Sequence, residues 1–157
     1  MARAGTIKVQ LQGLQQLINH LNTLKRALRS KILRKAVGKA VQPIMKDAKA
    51  RVPVRHGLLK KAMGFRVRTL RKNGVVVGIV GPRTGFRTQV GVDRNGKPIY
   101  GNPTRYAHLV EYGTVRAAAK PFLRPAWSAG RNQAAVTLAR VAAEELEKEA
   151  AKLGGRK

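Results

Sequence analysis

Residues 31–49 read KILRKAVGKAVQPIMKDAK. At about 100° per residue, Leu33, Val37, Ala40, Val41, Ile44 and Ala48 fall in one arc, and Lys31, Lys35, Lys39, Gln42, Lys46 and Lys49 fall in the opposite one. The spacing predicts a helix with a packed face and a cationic face. Ordinary surface helices interleave Glu with Lys, so that side chains three or four apart attract. Here Asp47 is the only acid, and repulsion between successive turns goes unrelieved within the helix. The lysine face therefore reads either as a solvated surface or as a seat for an anionic partner. Pro43 removes a backbone donor from the interior of the stretch and predicts a kink or a division near Gln42. Arg51-Val52-Pro53 ends it, because the residue before a proline disfavours the helical region.

On the N-terminal side, Thr6 to Leu11 alternates Ile7, Val9 and Leu11 with Thr6, Lys8 and Gln10, the period of a strand with one buried face. Gly13 breaks that pattern. Leu14, Leu17, Ile18, Leu21, Leu24 and Leu28 then form an apolar helical stripe that does not continue in register into the next helix.

On the C-terminal side the period drops to two. Phe65, Val67 and Thr69 alternate with Arg66, Arg68 and Leu70, and the branched run Val75 to Val80 follows. The runs flank Asn73-Gly74, a turn pair suited to positive φ, so a hairpin is expected with Arg66 and Arg68 on one face. Residues 83–103 are rich in Gly, Pro, Asn and Arg and contain a second Asn-Gly at 95–96; they read as a long loop or a second, projecting hairpin arm. A final helix is expected from about Pro125 to Leu153, with Trp127, Ala134, Ala135, Leu138, Ala142, Leu146 and Leu153 on its apolar side. The fold class expected is α+β. A small antiparallel sheet with hairpins packs against N-terminal amphipathic helices and a long C-terminal helix, in one domain over 1–157 with a flexible tail at 154–157.

The charge is lopsided. The chain of 157 residues has 33 Lys and Arg against seven Asp and Glu, a formal +26. Glu144, Glu145, Glu147 and Glu149 hold more than half of the acid, and the last 14 residues sum to zero. In an assembly that acidic end could meet the basic body of the next copy; in a monomer it could soften self-repulsion. A body this cationic repels itself and attracts nucleic acid or an acidic protein surface.

Catalytic readings fail on residue supply. There is no cysteine, which removes disulfides, thiolate metal sites and a cysteine nucleophile together. So few carboxylates cannot readily build paired-acid or magnesium sites, and His108 with Glu111 makes two metal ligands without a third. GVDRNGK at 91–97 has the spacing of a phosphate-binding loop, but Pro98 replaces the required Ser or Thr and no helix can follow, so a hairpin turn is expected instead. No enzyme, cofactor or metal is expected. Zinc fingers and aromatic RNA-binding sheets are equally absent, which leaves phosphate contact through Lys and Arg as the only nucleic-acid chemistry. The start, MARAGTIKVQLQG, lacks the apolar run of a secretory leader. The apolar stretch NGVVVGIVGP at 73–82 falls well short of the roughly 20 residues that cross a bilayer, so a soluble protein with no membrane partner is expected.

Three further stretches carry more than composition: RVPVRHGLLKKAM at 51–63, RYAHLVEYGT at 105–114 and AKPFLRPA at 119–126. In this order, between an amphipathic helical half and a long terminal helix, they resemble the tail-completion proteins of tailed bacteriophages, the minor tail components of the neck, over roughly residues 25–150. His56 stands where such proteins often carry Thr. The resemblance implies a structural virion protein, assembled in the host cytoplasm, that closes into a ring between the head connector and the tail terminator or tail tube. Six-fold symmetry is expected, with twelve-fold as the alternative. It implies assembly roles for Tyr106, Glu111, Gly113, Thr114, Pro121 and Phe122, with Glu111 paired to an arginine of its own or a neighbouring copy. Lys31, Lys35, Lys39, Lys46, Lys49, Arg66 and Arg68 are the expected surface for double-stranded DNA or an acidic partner. The competing reading is a free, sequence-neutral DNA-binding protein.

Overall fold

The computed structural model describes residues 13–54, 56–70 and 73–154. The strand expected at Thr6–Leu11 lies outside the described residues, as do residues 155–157 of the expected tail; Gly154 closes the last helix.

Gly13, at φ 77°, turns the chain into α1 (Leu14–Thr23), and extended Leu24 separates it from α2 (Arg26–Arg51). The helix α2 runs unbroken through Pro43, against the division expected near Gln42. Both Pro43 and Lys39, whose carbonyl loses its donor, are exposed, so water can satisfy that carbonyl and the helix survives the proline. Val52, just before Pro53, leaves the helical region with ψ 123° and ends it.

A short helix, α3 (Leu58–Ala62), leads into β1 (Met63–Thr69), which pairs antiparallel with β2 (Val76–Pro82). Gly74 supplies the positive φ of the turn, at 69°. A second hairpin follows, β3 (Thr88–Val92) with β4 (Pro98–Gly101), around Asn95-Gly96. In that turn the Asp93 carboxylate accepts from the Asn95 and Lys97 amides, both at 2.8 Å, which explains the resemblance to a phosphate loop without any phosphate chemistry. The two hairpins are separate two-stranded sheets. A 3-10 turn (Pro103–Arg105), α4 (Ala107–Tyr112) and the 32-residue α5 (Leu123–Gly154) complete an α+β fold.

The helix α2 is packed on two sides, and this corrects its expected buried arc. Its deeply buried residues are Ile32, Ala36, Ala40, Val41, Ile44 and Ala48; Leu33 and Val37 are only half-buried. Ile32, Ala36, Ala40, Ile44 and Ala48 form a row at four-residue spacing. A matching row runs from Phe122, just before α5, through Ala126, Gly130, Ala134, Leu138 and Ala142 of that helix. Small residues let the backbones approach. A Cβ on Gly130 would stand 2.7 Å from Ile44 Cγ1, so Gly130→Val should cost about 1–3 kcal/mol by overpacking, seen as a lower urea midpoint; an unchanged midpoint would refute the close approach. The other side of α2 meets the first hairpin, where a Cβ on Gly78 would come within 2.6 Å of Val41 Cγ1 and 3.0 Å of Val37 Cγ1.

Trp127 departs from its expected place on the packed side of α5. It is 56% exposed, while its neighbour Ala126 is fully buried. The short side chain wins the interior because α2 lies too near for an indole.

Candidate assembly site

The three motif stretches converge where α3, α4 and the start of α5 meet. Pro53, Gly57, Leu58, Tyr106, Leu109, Val110, Thr114 and Lys120 line one open, largely apolar groove. Gly57, at φ 69°, starts α3 on one wall. Tyr106 is half-buried in it, and that burial raises its hydroxyl pKa.

Behind the groove, Glu111 ties α4 to α5. Its side chain is nearly inaccessible, yet every oxygen is used: Oε2 accepts from the Phe122 and Leu123 amides at 2.8 and 2.9 Å, and Oε1 accepts from the Arg124 amide at 3.0 Å and from Arg124 Nε at 3.2 Å. The first amides of a helix lack partners inside it and carry the positive end of its dipole, so a carboxylate there is doubly favoured. Pro125, which has no N–H, follows those three donors. Arg124 also donates to the Glu111 carbonyl at 3.1 Å and lies 4.8 Å from the centre of the Tyr112 ring. Burial alone would raise the carboxyl pKa of Glu111, but the Leu123, Phe122 and Arg124 amides and the Arg124 side chain outweigh it, and the net shift is downward from 4.5.

That direction fixes a pH dependence. With its folded pKa below its unfolded one, Glu111 contributes stability fully present above about pH 4.5 and lost as pH falls through the folded value. The melting temperature should drop on acidification below 4.5, and Glu111→Gln should flatten that part of the profile; equal slopes in the two proteins would contradict it.

Gly113 makes the turn that lets Glu111 reach α5. At φ 78° and ψ 179° it occupies a region that is essentially glycine-only, and a Cβ there would lie 2.7 Å from the Ala119 amide nitrogen. Thr114 and Ala117 close the turn with mutual backbone hydrogen bonds of 2.8 and 3.2 Å. Pro121 is exposed just before α5, and Phe122 is the largest fully buried side chain. Glu111 and Phe122 are thus committed inside the chain. The surface this end offers outward is Leu109, Tyr112, Val115 and Trp127, all exposed.

The expected cationic surface divides. Lys31 pairs with Glu149 at 3.1 Å and Lys35 with Glu145 at 2.6 Å, joining α2 to α5 within one chain. Hydrogen bonding to Glu145 raises the Lys35 pKa, and the reciprocal bond lowers that of Glu145. Lys39, Lys46 and Lys49 are exposed with no ion-pair partner among the described residues. Arg66 and Arg68 project from the outward face of β1, where Arg66 donates to Thr84 Oγ1 at 3.1 Å. The partner arginine Arg124 and the glycines at 78 and 130 have no signal in hydropathy; Arg124 sits inside the third motif, and Gly130 falls in the four-residue row of small side chains. His108 is exposed, and no cluster of three metal-ligating side chains occurs among the described residues.

A family model described as "Bacteriophage HK97-gp10, putative tail-component" matches residues 15–113. The chain belongs to the HK97 gp10-like family. The match spans well over half of the sequence and takes in the first motif, the groove residues through Val110, Glu111 and Gly113. Thr114 and the third motif lie beyond it, although Glu111 binds that motif directly. No curated protein and no solved structure gave a significant match. As an HK97 gp10-like protein the chain is a structural tail component of a bacteriophage, and hence part of the virion. No helix among its described residues is long and apolar enough to cross a membrane.

Proposed function

We propose that this tail component works in the neck, where it completes the tail and joins it to the head as a closed ring between head connector and tail tube or terminator. The observation that carries the reading is how the acids are used. Asp47, Glu111, Glu144, Glu145 and Glu149 all form ion pairs inside the chain, and Asp93 holds its own turn. The surplus of +26 is therefore left on the outside with little internal compensation. Such a molecule works beside something anionic, and in a virion neck that is DNA or an acidic neighbour. A repeated head-to-tail contact closes into a cyclic ring, six-fold or twelve-fold.

Mass measurement with imaging of the purified protein, at moderate salt and without DNA, tests this. Discrete rings, or monomers that assemble only on a neck partner, are expected. Irregular coating of duplex DNA with a steep salt dependence would instead identify a free DNA-binding protein. Changing Lys39, Lys46 and Lys49 together to Gln spares the Lys35–Glu145 pair and should weaken genome retention or tail docking at unchanged melting temperature. Particles that hold their DNA and join tails normally would remove the lysine face from the mechanism.

A further inference from the structure

The first hairpin has an outer face that is left exposed among the described residues. Its register pairs Arg66 with Ile79 and Arg68 with Val77, and the Leu70 amide bonds to the Val75 carbonyl at 2.7 Å. Cross-strand partners share a face, so Arg66, Arg68 and Leu70 stand in one row beside Ile79, Val77 and Val75 in the next. The opposite face, with Phe65, Val67 and Gly78, lies against α2. Outside, Leu70, Val75, Val77 and Ile79 are 45%, 45%, 36% and 49% exposed. Four aliphatic side chains in adjacent cross-strand positions are a contiguous apolar surface, unlike the isolated exposed residues of any soluble protein.

We propose that this face docks an acidic, partly apolar surface of a different virion protein, presented as a row of carboxylates beside a row of aliphatic side chains on one face. The inference rests on the neck reading and selects, for Arg66 and Arg68, the acidic neighbour over DNA. Two observations choose the occupant. Arg68 has no partner among the described residues and Arg66 bonds only to a hydroxyl, so the arginine row calls for anions; two residues along a strand space them by about 6.6 Å, the separation of alternate side chains on an extended partner. The aliphatic row beside it is desolvated usefully by apolar side chains and not by phosphates, which disfavours DNA. A second copy is a poor fit as well, because five of the chain's seven acids are already spent on internal pairs and its surface is otherwise cationic.

The test uses the full chain and a synthetic β-hairpin peptide that carries Glu at alternate positions of one strand and Val at the cross-strand positions of the other, with its Lys-for-Glu counterpart and a short DNA duplex as comparisons. Methyl NMR should show the Glu peptide shifting Val75, Val77 and Ile79, with no shift from the Lys peptide. Arg66→Gln with Arg68→Gln should weaken the peptide at least about tenfold, and so should Val77→Thr with Ile79→Thr, which keeps branched strand formers in place. DNA binding should respond to the arginine pair alone. The proposal is overturned if the Glu peptide leaves these methyls unmoved, if the threonine pair binds it as the parent does, or if that pair abolishes self-association in sedimentation, which would make the face a contact between copies. These readouts do not depend on ring formation, so failure of the neck reading and failure of this one are separable.

Discussion

Phe122→Ala should lower the free energy of unfolding by about 3–5 kcal/mol, measured from urea transitions with an unchanged m-value. The side chain is fully buried in the cluster that joins Ala40, Ile44 and Ala48 of α2 to Leu59, Met63, Ala107 and Ala126. Removing it loses the transfer free energy of a phenyl ring and leaves a cavity. The cavity cannot collapse readily, because the backbone on one side is tied down: the Phe122 amide is bonded to Glu111 and the helix beyond it is held against α2 by Ala126 and Gly130. A domain of this size has about 5–15 kcal/mol in total, so the variant should be close to unfolding at 37 °C. A loss below about 1.5 kcal/mol would mean that the site relaxes and that Phe122 is not the keystone of this cluster.

Glu111→Ala comes next, with an expected loss of about 3 kcal/mol. The change strips the partner from three backbone donors at a helix start, one of them buried, and leaves the Arg124 guanidinium without its carboxylate. A buried donor without an acceptor costs about 1–3 kcal/mol, and the cap and dipole contributions add to it. Glu111→Gln keeps one acceptor oxygen but turns an N–H group toward the amides, so it should fall between Ala and the parent. Amide hydrogen exchange locates the effect: fraying at the N-terminal turns of α5 should precede global unfolding in the Ala variant. A Gln variant as stable as the parent would show that neutral hydrogen bonding suffices and that the charge is incidental. Because Glu111 binds the Phe122 amide, the two substitutions should not add.

Much of the architecture was legible in side-chain period alone. The helix through residues 31–49, the hairpin around Asn73-Gly74 and the turn at Asn95-Gly96 rest on local rules: 3.6-residue spacing, alternation, and glycines at 74 and 96 that supply φ of 69° and 75°. These signals are local because each is written in residues that touch along one element. The motif residues around Glu111 were recognisable too, with an arginine partner expected, but not which arginine or what else the carboxylate held.

Contacts between distant segments needed the folded chain. Hydropathy assigned Leu33, Val37 and Trp127 to the packed faces, whereas Ile32, Ala36 and Ala126 are the more deeply buried residues there, because α2 and α5 approach closely enough to favour small side chains. A scale that ranks residues by transfer free energy has no access to interhelical distance. The lysine stripe read as a solvated face or a seat for an anionic partner, and its helix alone did not tell that Lys31 and Lys35 meet Glu149 and Glu145 from more than 100 residues away. Composition and periodicity were enough for most of the described elements and for the charge. Which cations stay unpaired, where glycine is compulsory and what caps the last helix depend on which segments the packing brings within about 3 Å, since hydrogen bonds and ion pairs act only at that range.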